Sequence, residues 1–525
     1  MEERKKTANT IIIVVALTFL AKFIGFFREA LLGSRIGADM ASDAYIMAFY
    51  TTISNFISIG TAITIAAIPI IVERLTLKGK KEAFALSNQL LNVVSLLALG
   101  LIGFGFIYAE QIMGFLAKGF EGEKLILTTN LARIMLPALI CICITYIFVS
   151  ILQSLGIFGI TSFISVPANI IAIGFLFFYA KDYGVKGLAY VTLIGWILQF
   201  AIQIPFLHKA GFRYKLTFNF KDELLRRFFK IIIPVTAVAS VNQINMLLDE
   251  MQASNLHHGK VSALYYAGML YLAIASIMVY GISAVMFPKF AENAVKMEKR
   301  QYGLFVTSII KMLIFVMLPM TVGIGLLSKP LIRLIFERGA FDSEAAMLTG
   351  MALSLYALGM MGYAILDVIN KALYALQDTK IPVIFSIFMM GLNFLLNGVL
   401  AKAYDVAGIA LATTIAITLG AVGLMIAFKG KVGTFGGRKL LQSLMKVAFG
   451  CLVMAFMVIL TGKLLDTYFT GAGLSIKILR VGIPSFVGVL SYALVTLKLK
   501  IEEAVYIANT FIHPIINKIR RKSLI

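Results

Sequence analysis

Charged side chains interrupt the first apolar segment of the chain. Lys22, Arg28 and Glu29 lie in a predicted helix over residues 10–35. Each such charge costs about 2.5–3.5 kcal/mol near the middle of a membrane-spanning helix, so charges there usually face a polar interior. Two bases suit an anionic ligand, and the planar donors of arginine suit phosphate. The segment predicts an anion-binding surface within the membrane. The alternative is that Arg28 and Glu29 pair with each other or reach the outer surface.

Asp43 is the fourth candidate for substrate binding. It begins the second predicted span, at 44–73, and two interpretations are open. It either faces a polar cavity or caps the helix N-terminus through its carboxylate. Arg133 lies near the outer end of the fourth predicted span, where a long side chain more often reaches the membrane surface than binds a ligand.

A second polar set lies in the other half of the sequence. Its oxygen-bearing side chains come from three predicted spans: Asp249, Asn393, Asn397 and Thr413. Such oxygens can hold Na⁺, or Asp249 can carry a proton. The alternative is hydrogen bonding between helices, which uses the same residue types. Asp367 and Lys371 are four residues apart, as in an intrahelical ion pair.

The composition is that of a membrane protein. Of 525 residues, 60% are hydrophobic and 14% are charged, whereas a soluble domain has about a quarter charged. The net charge of +22 does not indicate a nucleic-acid partner, because the bases lie in alternate loops. The three cysteines lie in apolar runs, and no metal, nucleotide or catalytic motif is present. The sequence therefore predicts no enzyme and no cofactor, with Na⁺ or H⁺ as the candidate coupling ion.

The apolar runs predict an all-α polytopic membrane protein with fourteen transmembrane helices. They lie at roughly 10–35, 44–73, 83–108, 128–154, 159–180, 187–207, 228–254, 262–288, 304–328, 346–375, 382–401, 407–428, 441–462 and 475–497. With the N-terminus inside, the inner segments hold about 30 bases and the outer segments about 13. This asymmetry predicts that both termini are cytoplasmic.

Two parts of the chain resemble each other. The first copy has LQ at 152–153, Asn169, YGV at 183–185, GLA at 187–189 and Thr192; the second has LQ at 376–377, Asn393, YDV at 404–406, GIA at 408–410 and Thr413. Matched positions are about 221–224 residues apart. A duplicated membrane protein usually places its working site between its halves, so a transporter is the leading hypothesis.

The repeat defines a domain organisation. We predict two parallel six-helix lobes related by a pseudo-twofold axis, at 1–210 and 211–430, and two extra helices within 431–500. Residues 501–525 space apolar side chains along one helical face and end in bases. They predict an interfacial helix on anionic membrane lipids, the alternative being a disordered basic tail.

Five motifs resemble those of the MurJ (MviN) family of proposed lipid II flippases, within the multidrug/oligosaccharidyl-lipid/polysaccharide exporter superfamily. They are FIGFFRE at 23–29 followed by SDAY at 42–45, RIMLP at 133–137, SALYYA at 262–267, ERGAFD at 337–342 and ALYALQDTKIP at 372–382. The resemblance implies a bacterial cell-membrane flippase for a peptidoglycan precursor, with a central cationic cavity and a groove beside the last two spans for the lipid tail. It maps the cavity cations onto Lys22 and Arg28, with Glu29 and Asp43 near them. It also implies cation coupling through spans 7, 11 and 12.

The sequence departs from the family pattern at two places. Residues 51–59 carry no charge where the family commonly has an arginine pair and a glutamate, and Gly268 follows the SALYYA motif where an arginine is usual. Export of another lipid-linked oligosaccharide therefore stays open, as do a drug/cation antiporter and a non-transporting scaffold. The expected partner is an anionic polyprenyl pyrophosphate saccharide, handled by a monomer through alternating access.

Overall fold

The computed structural model describes residues 2–219, 222–433, 436–469, 471, 473–507 and 509. Among these residues every regular element is helical and none is a strand. The first eleven helices are α1 (Glu2–Ile36), α2 (Met40–Phe49), α3 (Asn55–Ile107), α4 (Ala109–Leu116), α5 (Gly122–Met135), α6 (Ala138–Ser154), α7 (Gly159–Phe163), α8 (Ser165–Phe178), α9 (Ala180–Ala201), α10 (Ile204–Ala210) and α11 (Glu223–Ser254). The others are α12 (Lys260–Lys296), α13 (Lys299–Ile335), α14 (Ser343–Leu358), α15 (Met360–Ala375), α16 (Lys380–Val432), α17 (Gly437–Tyr468), α18 (Leu474–Lys498) and α19 (Glu502–Ile507).

The helices confirm an all-α polytopic membrane protein. Within the described part of the chain, nine helical segments are long and apolar enough to cross a membrane. The number becomes ten if α14 and α15, which meet at a bend of 42°, form one span. Two of the nine are long enough to contain two predicted spans each, Met40–Ile107 and Lys380–Val432. Fourteen spans stay a prediction.

The chain forms two compact units. Unit 1 comprises Met1–Ser262 and Arg338–Ala345, and unit 2 comprises Ala263–Glu337 and Ala346–Ile525. In unit 1, α3 and α6 contribute most of a buried apolar core that includes Ile63, Ile70, Leu90 and Ile147. The division into two lobes and two extra helices stays a prediction, and most of its last segment, 501–525, lies outside the described residues.

A linker, defined here as residues 211–219, runs from α10 toward α11 and is held on α3. The side-chain amide of Asn88 donates to the carbonyl of Arg213 at 3.0 Å, and that of Asn92 donates to the carbonyl of Thr217 at 2.9 Å. Phe212 is buried edge-on against Phe84, with ring centroids 5.5 Å apart. Side-chain amides thus satisfy backbone groups that the extended linker leaves unpaired.

An ion pair fixes the start of α11 in unit 1. Asp222 caps α11 by accepting from the backbone N–H of Leu224 at 3.0 Å. The guanidinium of Arg74 donates to both carboxylate oxygens of Asp222, at 2.8 and 2.7 Å. Because both side chains are largely buried, this two-bond pair holds α11 against α3 more firmly than an exposed pair would.

The two sequence repeats share an unusual backbone break. Gly184 in α9 has φ 51° and ψ −147°, and Asp405 in α16 has φ 59° and ψ −140°. These two residues are 221 positions apart, as are Gly156 (φ 78°) and Gln377 (φ 60°), which follow the ends of α6 and α15. A left-handed residue after a helix end lets the next N–H groups close back on the last turn. The two pairs of left-handed residues thus share one spacing of 221 residues, within the range of 221–224 found for the sequence repeats.

Candidate substrate site and the Asp43 network

Two of the four predicted substrate residues form an ion pair on α1. The guanidinium of Arg28 donates to the neighbouring carboxylate of Glu29. The Glu29 side chain is 9% exposed, while that of Arg28 keeps 30% of its surface accessible. Arginine has five donors, so pairing with one carboxylate leaves capacity for another acceptor. The pairing expected as the simpler alternative is present, and it leaves the Arg28 guanidinium partly accessible.

Lys22 lies on the same helix and is exposed. It precedes Arg28 by six residues, about 9 Å along the axis of an α-helix. Lys22, Arg28 and Glu29 together carry one net positive charge. Within the apolar part of α1, Lys22 and Arg28 therefore place two cations about 9 Å apart along the helix axis.

Asp43 has a different environment. It is fully buried, and the α2 N-cap is not Asp43 but Asp39, whose carboxylate accepts from the Ser42 backbone N–H at 2.9 Å. The Asp43 carboxylate instead accepts from Gly259 N–H at 2.7 Å and from Ser262 N–H at 2.9 Å. Its two remaining partners are the Ser262 hydroxyl at 2.6 Å and the Lys124 ammonium at 2.8 Å.

Lys124 completes this network from the first turns of α5. Its side chain is 4% exposed, and its Nζ lies 3.9 Å from the centre of the Phe120 ring and 3.3 Å from Nδ1 of His258. A buried charge is tolerated when it is paired and hydrogen-bonded, and both members of this pair are. The network ties the segment before α12 to α2 and α5. Sequence analysis did not identify Lys124 or His258, although Ser262 opens the SALYYA motif.

The second predicted set is divided between the units. Asp249 is buried on α11 in unit 1, whereas the three other side chains belong to α16 in unit 2. There the Thr413 hydroxyl lies 3.3 Å from Oδ1 of Asn393, and Asn397 is fully buried one turn further on. The structure thus brings Asn393 and Thr413 together.

Other polar groups accompany this set. Glu250, beside Asp249, is 3% exposed, and no hydrogen-bond partner for its Oε2 lies among the described residues. Gln243, earlier on α11, accepts from the Ser54 hydroxyl at 3.0 Å. The predicted intrahelical pair of Asp367 and Lys371 is present at 2.8 Å.

A family model described as "Lipid II flippase MurJ" matches residues 32–479. The chain belongs to the MurJ family. A probable lipid II flippase MurJ of Buchnera aphidicola is 31% identical over 411 residues, which cover 77% of this chain and 80% of that protein. The protein of the same name from Vibrio cholerae is 27% identical over 429 residues, covering 79% and 81%. MurJ proteins are transporters rather than enzymes.

Solved structures agree with the family assignment. A MurJ lipid II flippase in an inward closed conformation matches with a TM-score of 0.79 and 27% identity, covering 92% of this chain and 98% of that one. An inward-facing multidrug MATE transporter of the MOP superfamily matches with a TM-score of 0.69 and 14% identity, covering 81% and 99%. The second likeness shows a shared fold only. Membership of the MurJ family, together with the apolar helices, places the chain in the inner membrane.

Proposed function

We propose that this chain moves lipid II, the lipid-linked peptidoglycan precursor, from the inner to the outer leaflet by alternating access. The observation that carries the proposal is the partly exposed Arg28 guanidinium within the long apolar segment of α1, held by the buried Glu29. A charge at such a position is costly unless it serves a polar pathway. Family membership supports the identity of the cargo.

Arg28 and Lys22 would receive the pyrophosphate. The Glu29 carboxylate fixes the plane of the Arg28 guanidinium, so less side-chain entropy is lost when phosphate oxygens bind. The exposed Lys22 supplies a second, more mobile charge. Because Glu29 cancels one of the two positive charges, the site attracts an anion without the excess charge that would prevent its release.

Asp43 would act by position rather than by contact with the substrate. All four of its hydrogen bonds go to protein groups in unit 1, including the backbone N–H groups of Gly259 and Ser262. For the carboxylate to reach a ligand, these bonds would have to break. We therefore assign Asp43 the task of holding the start of α12 while the substrate occupies α1.

The membrane potential would drive the anion outward. It contributes about 2.3 kcal/mol per charge per 100 mV, so a pyrophosphate with about two uncompensated charges gains about 4–5 kcal/mol. Co-binding of Na⁺ or H⁺, for which Asp249 in unit 1 and the α16 oxygens in unit 2 are separate candidate ligands, would cancel part of that gain and add the gradient of the ion. The orientation required has both termini in the cytoplasm, which the distribution of bases supports.

The test is flipping of fluorescent lipid II by purified protein in vesicles. Arg28→Gln should slow flipping about 10–100-fold, because a hydrogen bond to a charged group contributes about 1.5–3 kcal/mol. Lys118→Gln, which removes a base beside Phe115 in the loop after α4, should leave the rate unchanged. Equal rates for wild type and Arg28→Gln would overturn the role of Arg28.

Three further arms separate the alternatives. Asp249→Asn should remove any dependence on Na⁺ or pH while lipid II binding persists, and a wild-type rate indifferent to potential, Na⁺ and pH would remove the coupling proposal. A polyprenyl pyrophosphate with another saccharide tests the broader cargo that the uncharged residues 51–59 leave open. Complementation is the third arm, in a strain that lacks its own lipid II flippase. If this protein does not support growth of that strain but transports the other lipid or a cationic drug in vesicles, the cargo is reassigned.

A further inference from the structure

A cavity of about 330 Å³ lies in unit 1 at the C-terminal end of α1. Its walls come from α1, from the end of α8 and from the loop at 338–341. The apolar part of the wall includes Phe27, Leu31 and Phe177, and the polar part includes Arg35 and Arg338. Neither Lys22 nor Arg28 lines it. The cavity is therefore separate from the substrate site proposed above.

The loop is docked closely enough to fix the shape of the cavity. The backbone N–H of Ala340 donates to the carbonyl of Ser34 at 2.9 Å. Gly339 has φ +63°, and a Cβ there would lie 2.4 Å from the same carbonyl oxygen. Only glycine tolerates both the left-handed backbone and this approach. The sequence thus places Arg338 beside α1 through a contact that a side chain at 339 would prevent.

The two arginines make the cavity a site for anions. Arg35 and Arg338 are both exposed residues. The Arg35 guanidinium lies 5.5 Å from the centre of the Phe177 ring, within the range of a cation–π contact that orients its plane. Two planar guanidiniums at one cavity match the oxygens of a phosphate group, which takes paired donors from arginine.

The remaining wall suits hydrocarbon. Phe27 and Phe177 are each 46% exposed, and Ala30 and Leu31 form a small apolar surface between α1 and α8. A volume of about 330 Å³ holds a phosphate head with its first carbons but not a whole lipid. The chain of such a ligand would leave the cavity along the two phenylalanine rings into the bilayer.

We infer that this cavity binds the phosphate or pyrophosphate group of a lipid, with Arg35 and Arg338 as its anion contacts and Phe27 and Phe177 beside the chain. This site goes beyond the proposed transport site and does not require it. The same chemistry has two sources, a resident anionic phospholipid and a polyprenyl pyrophosphate lipid. If the polyprenyl pyrophosphate lipid binds, the cavity is a second binding site for the cargo, at the C-terminal end of α1.

Native mass spectrometry of the purified full-length protein tests the inference. Phosphatidylglycerol and a polyprenyl pyrophosphate are titrated in separate arms, with phosphatidylcholine as the uncharged reference. The double variant Arg35→Gln/Arg338→Gln should weaken binding of at least one anionic probe by about tenfold per arginine and leave phosphatidylcholine unchanged. Its matched control, Lys118→Gln/Lys181→Gln, removes two exposed bases of unit 1 outside the cavity and should bind like wild type.

Two more variants keep the result interpretable. Arg35→Lys/Arg338→Lys retains the charge without the planar donors and should recover only part of the affinity. Gly339→Ala changes no charge, displaces the loop and should weaken binding. Equal affinities for wild type and Arg35→Gln/Arg338→Gln, or an equal loss in the lysine control, would overturn the inference.

The outcome is independent of the transport proposal. Loss of flipping in Arg28→Gln concerns the α1 cations alone and leaves the cavity titration unaffected. If only phosphatidylglycerol responds to Arg35→Gln/Arg338→Gln, the cavity holds a resident lipid. If the polyprenyl pyrophosphate responds, the cavity takes the cargo class itself.

Discussion

Asp43→Asn should destabilise unit 1 far more than a change of one atom suggests. In the native carboxylate, Oδ2 accepts from the Lys124 ammonium at 2.8 Å and from the Gly259 N–H at 2.7 Å. Oδ1 accepts from both the N–H and the hydroxyl of Ser262. An asparagine amide retains one acceptor and presents an NH₂ donor on the other side. The NH₂ group would then face either the Lys124 ammonium and the Gly259 N–H or the Ser262 N–H, so at least one donor would face a donor instead of an oxygen.

The magnitude follows from the burial of both charges. Asp43 is 0% and Lys124 4% exposed at the side chain. Removing one partner of a buried ion pair costs about 3–5 kcal/mol, because the other charge stays buried without compensation. Lys124→Met should cost a similar amount for the same reason. Together the two changes remove both charges, so their combined cost should be less than the sum by at least about 2 kcal/mol.

The protein contains one tryptophan, which makes the measurement specific to unit 1. Trp196 is 7% exposed and belongs to α9. Its fluorescence during unfolding in mixed detergent reports the free energy of unfolding for wild type, both single variants and the double variant. Asp39→Ala is the control, because loss of an N-cap costs about 0.5–2 kcal/mol. Strictly additive single effects would refute the argument that Asp43 and Lys124 are a coupled buried pair.

Two other predictions concern backbone strain and pH. Gly184→Ala should lower the apparent melting temperature, because forcing alanine into a sparsely populated φ/ψ region costs about 1–3 kcal/mol of folding free energy. Asp405→Gly should be neutral or stabilising, because glycine adopts the same positive φ more readily. The hydrogen bond from Lys431, followed by that from the Ile381 N–H, lowers the pKa of Asp378. The stabilisation of the folded protein by these bonds to Asp378 is therefore present above the unfolded pKa of about 3.9 and is lost as pH falls through the lowered pKa of the folded state. Asp378→Asn should cost at most about 1 kcal/mol at pH 7, since Lys431 is half exposed, and melting curves should converge below about pH 4.

The helices were predictable because apolar runs must satisfy their backbone groups internally. The breaks in the long helices fall between predicted spans, but their backbone conformations were less predictable. Gly79 separates the second and third predicted spans within α3, and a glycine is a plausible place to turn. Asp405 interrupts α16 with a positive φ, where propensity gives only a weak signal. Its repeat partner Gly184 has a similar backbone conformation, which the sequence analysis did not predict at either position.

The candidate site was predictable only where its groups are neighbours in sequence. Adjacent charges on one helix made the Arg28 and Glu29 pair foreseeable. The partners of Asp43 were not, since Lys124 is 81 residues away and Gly259 is 216. Such contacts depend on how helices pack, which one sequence does not reveal. Asp39 was identifiable in principle, because a serine three residues later completes a reciprocal cap.

The left-handed residues of the two repeats are 221 residues apart, at Gly156 and Gln377 and at Gly184 and Asp405. If this offset also applies to the first helix of each repeat, Arg28 matches Asp249 and Glu29 matches Glu250. One copy has a basic and an acidic group where the other has two acidic groups. If an inherited backbone position carries opposite charge in the two copies, the copies cannot favour the same ion. An anionic head group suits the copy with Arg28, and a Na⁺ ion or proton suits the copy with Asp249. Under the proposed function, a division of labour between substrate and coupling ion would then follow from divergence at one duplicated position, without any new helix.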